Sequence, residues 1–405
     1  MPSEILNLAS GDKTSVTEPT SKQVGARRAH QVLFVIDSWF PGMGGAEKQA
    51  VKLAKALRKK GVEVEFIAPH LDTEQPMSQM YEGFQVTKIN YPKIKLLGAA
   101  ILNARFAWYL FSQRKKFASA HFHVTQTLAG TAGFIRPFTG LPCVAKISGF
   151  YEFEHGVLAQ HKPLNPILKL IRLGLRNIDY VQTISVQTRT KLEAAGFRPG
   201  QIKFVPNGID CDLSPRERHY TRDKEFAVGY CGRMAPVKGV DVLIKGFAQW
   251  VKQHPERRLK LNIAGGGKDG QFDENVALVA SLGIKDQVNF LGVIDDVPGF
   301  LATQDLYVQP SFAEGLPNSV MEAMNAALPV IATDIGGNHD LITHEHNGFL
   351  FPAGDSDALA LLLERAYTAY DAVLPMGQIS RQLLTDHYSF ESVTEQLLDL
   401  YDIKD

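Results

Sequence analysis

The feature that most constrains the fold is an alternation of short apolar segments with helical patterns, which occurs in two successive series. Segments rich in β-branched and aromatic residues alternate with amphipathic stretches from about residue 30 onward. This alternation is typical of parallel β-α-β units. The first series predicts strands at residues 30–40, 62–68, 84–89, 121–125, 142–148, 180–185 and 203–206, and helices at 46–60, 97–116 and 166–178.

A polar segment at residues 207–225 interrupts the alternation and predicts an interdomain linker. The second series then predicts strands at residues 226–231, 259–264, 288–292, 306–309 and 329–333, with helices such as 240–254, 318–327 and 357–369. We therefore expect an α/β protein with two doubly wound domains. Ligands of such sheets bind beyond the carboxyl ends of the strands, so two domains facing each other would hold a ligand in the cleft between them.

Composition excludes several other classes of protein. The 405 residues include 43 Lys+Arg and 43 Asp+Glu, a balance that argues against a uniformly basic nucleic-acid binder. The three cysteines share no CxxC spacing, which argues against a disulfide scaffold or a cysteine zinc site and favours a reducing compartment. Residues 1–28 are polar and predict a disordered tail, and no segment predicts a membrane span.

Two glycine-rich loops are candidate anion sites. Gly44 and Gly45 follow the first predicted strand, where glycines let the backbone approach a ligand and the next helix offers its N–H groups. The same two glycines would also fit a tight turn between strand and helix that binds no ligand. Gly265, Gly267 and Gly270 form a GxGxxG pattern, which keeps a nicotinamide-dependent oxidoreductase open as an alternative, although the preceding strand is the second of its domain.

Charged residues follow two strands of the second series. Arg233 and Lys238 lie in the loop after residues 226–231, where a guanidinium and an ammonium suit adjacent phosphates. Glu314 follows the strand at residues 306–309, and Glu322 lies in the first turn of the next helix. A capping box starting at Ser319 would also explain Glu322, whereas Glu314 fits hydrogen bonding to sugar hydroxyls.

The motifs together resemble glycosyltransferase family 4, the retaining nucleotide-sugar transferases of GT-B fold. The pattern E-x(7)-E of Glu314 and Glu322 lies within EGLPNSVMEAM. It is accompanied by GR at 232–233, KG at 238–239, PNGID at 206–210, IGG at 335–337 and the early GGAE at 44–47. The resemblance extends over nearly the whole chain from about residue 30.

The resemblance implies a role for each matching residue. Arg233 and Lys238 would bind the donor diphosphate, Glu322 the ribose, and Glu314 the donor sugar near its 3- and 4-hydroxyls. The backbone of Gly315, Leu316 and Pro317 would lie close to that sugar, and Asn318 would begin the helix that faces the diphosphate. Gly44 and Gly45 would approach the phosphates. Neither a cofactor nor a metal ion is implied.

The same resemblance points to a histidine and to one departure from the family pattern. His123 matches a histidine that faces the reacting sugar, and His121 would share its face of the strand. A metal site there would lack an evident third ligand. Asp340 stands where the family has a glutamate.

The resemblance also divides the chain into functional parts. Residues 29–205 would form the Rossmann-like acceptor domain, 206–385 the nucleotide-sugar domain, and 386–405 a helix that crosses back to the first domain. The expected reaction moves a hexose from a nucleotide-diphosphate sugar to a glycan or lipid-linked acceptor in polysaccharide, lipopolysaccharide or glycolipid synthesis. A GT-B nucleotide-sugar hydrolase or epimerase is the other enzyme class that the motifs allow.

The zero net charge conceals an asymmetry between the two parts. Residues 1–205 contain 27 Lys+Arg and 14 Asp+Glu, whereas residues 206–405 contain 16 and 29, so the halves carry +13 and −13. No acidic residue occurs from Gly83 to Tyr151. Solvated helix faces account for part of this excess, but basic residues around an amphipathic helix also suit an anionic membrane. We therefore predict a cytoplasmic protein with a peripheral position on the membrane.

Overall fold

A computed structural model of the chain describes residues 30–42, 45–72, 74–149, 151–154, 156–159, 166–211, 224–267 and 270–403. The predicted N-terminal tail, Gly44 and most of the predicted linker lie outside these residues. The described chain divides into two compact units, one formed by residues 30–208 with 390–403 and the other by Ile209–Ser389. The sequence prediction placed these divisions after residues 205 and 385.

The first unit contains an eight-stranded sheet among its described residues, in the order β3-β4-β2-β1-β5-β6-β7-β8. All neighbours pair in parallel except β3 and β4, which form an antiparallel hairpin. The strands are β1 (Gln31–Ile36), β2 (Glu63–Pro69), β3 (Ser78–Tyr81), β4 (Phe84–Ile89), β5 (Ser119–Val124), β6 (Cys143–Ile147), β7 (Tyr180–Thr183) and β8 (Ile202–Phe204).

Helices cover both faces of this sheet. They are α1 (Gly45–Lys59), α2 (Lys95–Gln113), α3 (Thr127–Thr139), α4 (Tyr151–Glu154), α5 (Pro166–Leu175) and α6 (Val186–Ala194), followed by a 3₁₀ turn at Pro199–Gln201. Helices α2, α3 and α5 bury Phe106, Leu128 and Ile171 in one core cluster, whereas α1 buries Leu53 and Leu57 in the cluster on the other face. Both faces are covered, as parallel sheets require.

The second unit has a parallel sheet in the order β11-β10-β9-β12-β13-β14, the strand order of a Rossmann fold. Its strands are β9 (Phe226–Cys231), β10 (Leu259–Ala264), β11 (Val288–Gly292), β12 (Leu306–Gln309), β13 (Val330–Thr333) and β14 (Phe349–Phe351). Its helices are α7 (Val240–Gln253), α8 (Gln271–Leu282), α9 (Val297–Ala302), α10 (Asn318–Asn325), α11 (Gly336–His339), α12 (Ser356–Thr368) and α13 (Tyr370–His387), with 3₁₀ turns at Pro236–Lys238 and Lys285–Gln287.

The final helix α14 (Phe390–Leu400) belongs to the first unit. Val393, Leu397 and Tyr401 are buried with Phe34 in the core cluster that also contains α1. The Tyr401 hydroxyl lies 2.5 Å from His121 Nδ1 on strand β5. The C-terminal segment is therefore an integral part of the hydrophobic core that packs against strand β1 at the other end of the chain.

Candidate donor site and the comparisons that place the family

The strand order of the second unit reverses between β9 and β12, which pair side by side in parallel. In open parallel sheets this switch point is where ligands bind, beyond the carboxyl ends of the strands. The loop after β9 carries Arg233 and Lys238, and the loop after β12 carries Glu314. The fold therefore brings together three of the predicted site residues, although 81 positions separate the first from the last.

Lys238 and Glu314 form an ion pair with Nζ 2.6 Å from Oε1, and their side chains are only 19% and 11% exposed. Two further donors reach the same oxygen, the Gln309 amide at 2.8 Å and the Ser311 hydroxyl at 2.7 Å. Within the described part of the chain, no donor is directed at Oε2. One carboxylate oxygen is thus fixed by three donors, whereas the other has none among the described residues.

Backbone contacts between the two loops hold the ion pair in place. The Phe312 N–H donates to the Val237 carbonyl at 2.8 Å, which ties the loop after β12 to the 3₁₀ turn that carries Lys238. Gly239 ends that turn with φ +61°, and a Cβ there would clash with the Pro310 carbonyl oxygen. Glycine is therefore required at 239 both by conformation and by the close approach of the loops.

Arg233 lies at the same edge, but its guanidinium is exposed. Among the residues that the structure describes, no acidic side chain pairs with it. Its backbone is fixed, since the carbonyl accepts from the Tyr230 hydroxyl at 3.1 Å and the following Met234 N–H donates to Gly266 at 2.8 Å. A fixed backbone with an unpaired guanidinium suits an anionic ligand.

The glycine pattern at 265–270 has a structural explanation. Gly265 has φ +139°, and a Cβ there would clash with the Gly232 carbonyl oxygen. A Cβ on Gly267 would lie 2.7 Å from the Phe272 nitrogen. Two of the three glycines of the GxGxxG pattern are therefore required by packing of the loop after β10 against its neighbours, without reference to a dinucleotide.

Helix α10 begins at Asn318, and the capping-box prediction for this helix is wrong. Its N-cap is Pro317, which makes no side-chain capping hydrogen bond, and Ser319 is already helical. The Ser319 hydroxyl instead donates to Gln309 Oε1 at 3.4 Å. The start of α10 is thus not closed by a capping side chain, and Glu322, which is half-buried, does not serve as the capping-box partner.

The backbone between Glu314 and α10 is tightly packed. Leu316 and Pro317 are buried, while Gly315 is partly exposed. A Cβ on Gly337 would lie 2.6 Å from the Gly315 carbonyl oxygen and 2.7 Å from that of Glu314. The glycine pair that starts α11 therefore allows the loop that carries Glu314 to approach. Asp340 follows this short helix and is buried.

Glu322 lies near Cys231 at the end of β9. The pKa of the Cys231 thiol is raised to about 11, mainly by burial and further by the negative charge of Glu322. The predicted ribose-binding glutamate is therefore at the same strand edge as Arg233, Lys238 and Glu314.

His123 lies at the carboxyl end of β5 in the first unit and is buried, with 1% exposure. Its ring centroid lies 4.1 Å from that of Phe34 and 4.1 Å from that of His121. Burial lowers the pKa of His123 well below 6.5, and nearby His121 and Lys146 lower it further. His123 is therefore a neutral imidazole, and no partner for its Nε2 occurs within the described ranges.

Two charged residues near this strand edge escaped the sequence analysis. Lys146 follows in β6 and is 5% exposed, and burial lowers its pKa to about 8. Asp37 follows β1 and accepts from the Leu128 N–H at 2.9 Å at the start of α3, while burial raises its pKa to about 6. A polar residue within two positions of the carboxyl end of an apolar strand is the signal that could have indicated both, as it could for Gln309 and Ser311.

The glycine loop of the first unit is described only in part. Gly45 is the first residue of α1, and Gly44 lies outside the described residues. The Ser38 hydroxyl donates to Glu47 Oε1 at 2.9 Å across this loop. Over the described ranges, no group of three or more His, Cys, Asp or Glu side chains is placed to hold a metal ion.

Two Rossmann-like units in one chain, with a cationic and carboxylate cluster at the switch point of the second, are the features of the GT-B glycosyltransferases. Crystal structures of Anabaena HepE match this architecture. Its complex with UDP has a TM-score of 0.75 and 22% identity, and the match covers 92% of this chain and 99% of that one. A further structure of HepE is a complex with UDP-glucose, with a TM-score of 0.71.

The sequence matches identify the family. Residues 43–213 match the model described as Glycosyltransferase Family 4, and residues 225–369 match Glycosyl transferases group 1. The chain belongs to glycosyltransferase family 4. This assignment confirms the resemblance and replaces the oxidoreductase alternative.

Two curated relatives extend the match across most of the chain. An uncharacterized glycosyltransferase of Haemophilus influenzae is 27% identical over 87% of this chain and 95% of its own length. The UDP-Gal:alpha-D-GlcNAc-diphosphoundecaprenol alpha-1,3-galactosyltransferase of Escherichia coli is 25% identical over 72% of this chain and 77% of its own. No helix in the described residues is both long enough and apolar enough to cross a membrane.

Proposed function

We propose that the protein is a retaining hexosyltransferase that uses a nucleotide-diphosphate sugar, and that its second unit binds this donor. The observation that carries the proposal is the cluster of Arg233, Lys238 and Glu314 at the β9/β12 switch point. Two cations and a carboxylate are the groups that a diphosphate attached to a polyhydroxylated sugar requires. The complexes of HepE with UDP and UDP-glucose support a donor of this class.

Each residue has a defined part in this proposal. Arg233, exposed and without an acidic partner among the described residues, binds the diphosphate, together with Lys238 and the N–H groups at the start of α10. Glu314 uses the oxygen that the protein leaves open to accept from the 3- and 4-hydroxyls of the sugar. Glu322 binds the ribose. The first unit binds the acceptor. His123 and the loop of Gly44 and Gly45 belong to this unit and take part in the reaction from it.

The cations also explain how transfer is accelerated. Negative charge develops on the diphosphate as the glycosidic bond breaks, and donors fixed before the reaction stabilise that charge without reorganising. Lysine has three N–H donors, of which Glu314 occupies one, so two remain for phosphate oxygens. No residue in this cluster is needed as a covalent nucleophile, and the reaction does not need a metal ion.

The acceptor is a glycan or a lipid-linked glycan on the cytoplasmic face of the membrane, in the synthesis of a polysaccharide, lipopolysaccharide or glycolipid. The Escherichia coli relative is named for transfer to GlcNAc-diphosphoundecaprenol, a lipid-linked acceptor, which supports this class. The excess of basic residues in the first unit is consistent with a negatively charged acceptor environment.

Donor binding is tested by thermal unfolding with UDP-, GDP- and ADP-sugars, because a ligand that binds only the folded state raises its apparent stability. One nucleotide series should stabilise the wild-type protein, and the Arg233→Ala variant should lose that effect. A matched control is Arg258→Ala, which removes an arginine at the opposite end of the sheet. Stabilisation that is equal in wild type and Arg233→Ala would contradict the assignment.

Product analysis tests the reaction itself. With the stabilising sugar and a membrane extract as acceptor, NMR of the product should show that the anomeric configuration of the donor is kept. Inversion would refute the retaining mechanism. Release of free sugar at the same rate with and without acceptor would indicate the hydrolase alternative instead.

A further inference from the structure

Three helices on one face of the first sheet contain no acidic residue. Helices α2, α3 and α5 together carry neither Asp nor Glu, although they contain several Lys and Arg. Glycines bring α3 and α5 into backbone contact, since a Cβ on Gly130 would lie 2.7 Å from the Ile171 carbonyl oxygen and one on Gly133 would clash with the Gly174 carbonyl. These helices therefore form one continuous layer on the sheet.

Helix α2 has two apolar stripes on opposite sides. Leu102, Phe106 and Leu110 recur every four residues and are buried against the sheet. Leu97 and Trp108, on the far side, are 54% and 70% exposed. An amphipathic helix on a soluble surface presents polar residues to solvent, so a second apolar stripe requires another explanation.

Cations accompany the exposed stripe of α2. The Trp108 and Phe111 rings lie 6.3 Å apart, and the Arg114 guanidinium lies 4.1 Å from the centroid of the Phe111 ring. Arg105 and Lys115 are exposed beside them. None of these three cations pairs with a carboxylate among the described residues, so no described side chain neutralises their charge.

The apolar surface continues onto the neighbouring helices. Phe138 of α3 is 72% exposed, and Leu170 and Leu173 of α5 are 56% and 53% exposed. Lys169 is exposed next to Leu170. Large apolar side chains are therefore exposed on all three helices, which we call the α2–α5 surface. The exposed cations lie on and beside α2 and on α5, whereas Arg136 of α3 pairs with Asp179 at 2.6 Å.

We propose that the α2–α5 surface lies against an anionic lipid bilayer. Aromatic and leucine side chains would enter the interfacial region while the cations contact lipid phosphates, the arrangement of interfacial helices. The absence of Asp and Glu from these three helices favours a negatively charged lipid surface over a protein partner, which would offer both signs of charge. The inference deepens the proposed function, because a lipid-linked acceptor would be reached at the membrane surface. It rests on the proposed function only for the purpose of the contact.

Vesicle binding of the full-length protein tests the proposal without donor or acceptor. The protein should co-sediment with vesicles of phosphatidylcholine and phosphatidylglycerol in equal parts but not with phosphatidylcholine alone. Each cation near an anionic surface contributes about 1 kcal/mol, or about fivefold in partitioning, so Arg105→Ala/Lys115→Ala should bind roughly 25-fold more weakly. The control Lys48→Ala/Lys52→Ala removes two exposed cations from α1, on the opposite face of the sheet, and should change binding less than twofold.

Tryptophan fluorescence locates the contact. Of the three tryptophans, Trp250 is buried and Trp39 is exposed, so a Trp39→Phe background leaves Trp108 as the exposed reporter. Its emission should shift to shorter wavelength with anionic vesicles only. The proposal is overturned by an unchanged emission, by equal binding to both vesicle types, or by a control variant that binds as weakly as Arg105→Ala/Lys115→Ala.

Two outcomes separate this proposal from the proposed function. Nucleotide-sugar stabilisation that persists in a protein without vesicle affinity overturns the membrane contact and leaves the transferase assignment intact. A dimer in lipid-free solution that Trp108→Ser dissociates would show that the surface is a protein interface and would overturn the lipid assignment. Vesicle binding by a protein that binds no nucleotide sugar would support the membrane contact and refute the donor site.

Discussion

Replacing Lys238 by alanine separates the contribution of its ammonium group to folding from its contribution to donor binding. In the free protein, Nζ donates to Glu314 Oε1 at 2.6 Å. Because Gln309 and Ser311 still donate to that oxygen after the substitution, the carboxylate is not left unpaired. The loss of unfolding free energy should therefore be about 1 kcal/mol, well below the roughly 3–5 kcal/mol of an orphaned buried charge.

Donor binding should suffer far more than folding. A hydrogen bond between charged groups contributes about 1.5–3 kcal/mol, which corresponds to a loss of roughly 10- to 150-fold in affinity for the nucleoside diphosphate. If the ammonium also stabilises charge that develops on the diphosphate, kcat should fall in addition. The variant is thus expected to fold normally and to bind and react poorly.

Calorimetric titration with the nucleoside diphosphate, urea unfolding and initial rates measure these three effects. Lys245→Ala is the matched control, since Lys245 forms an exposed pair with Asp241 at 2.8 Å on the following helix. That variant should match wild type in affinity and rate. The reasoning is refuted if Lys238→Ala keeps wild-type affinity, or if its loss of affinity only parallels a loss of folded protein.

Three further predictions concern the first unit. Burial raises the pKa of Asp37 from 3.8 to about 6, so stability is lost as pH rises from about 4 through 6. Urea unfolding should find Asp37→Asn more stable than wild type by up to about 3 kcal/mol near pH 7.5, with the gain vanishing near pH 4. Burial lowers the pKa of His121 to about 3 and that of His123 well below 6.5, so stability should fall below pH 6.5 by about 1.4 kcal/mol per pH unit for each histidine. The double Gln variant should flatten that slope, and an unchanged slope would contradict the burial of these rings. Gly133→Ala should lower the free energy of unfolding by about 1–3 kcal/mol because of the clash with α5, whereas Gly149→Ala, where the added carbon meets nothing within 4 Å, should not.

The regular part of the fold was predictable because the alternation of apolar runs and helical patterns is a local property. Strands β9, β10, β11 and β12 have the bounds that the sequence predicted. Strand β3 was not predicted because it is short and lies on the sheet edge, with a pattern of exposed and half-exposed residues. Its hairpin turn at Glu82–Gly83 has positive φ at both residues, and Glu lacks the usual turn signature of Asn or Asp.

The sequence predicted which charged residues lie together at the β9/β12 edge, but not the contacts between them. Glu314 and Lys238 stand out because charged residues follow apolar strands and match the family pattern. That both Gln309 and Ser311 donate to a single oxygen of Glu314 depends on the orientation of side chains, which the sequence does not specify. The capping box failed for a local reason, since Pro317 lets the helix begin before Ser319 and the Ser319 hydroxyl turns to Gln309.

The position of helix α14 has a consequence for the order in which the chain can fold during synthesis. The core around Phe34 is complete only when Leu397 and Tyr401 have been translated, although Phe34 leaves the ribosome some 360 residues earlier. The second unit, whose residues are contiguous from Ile209 to Ser389, has no such delay. The part of the protein made first is therefore the last to be finished, and until then the apolar surface that α14 covers beside α1 is left for chaperones to protect.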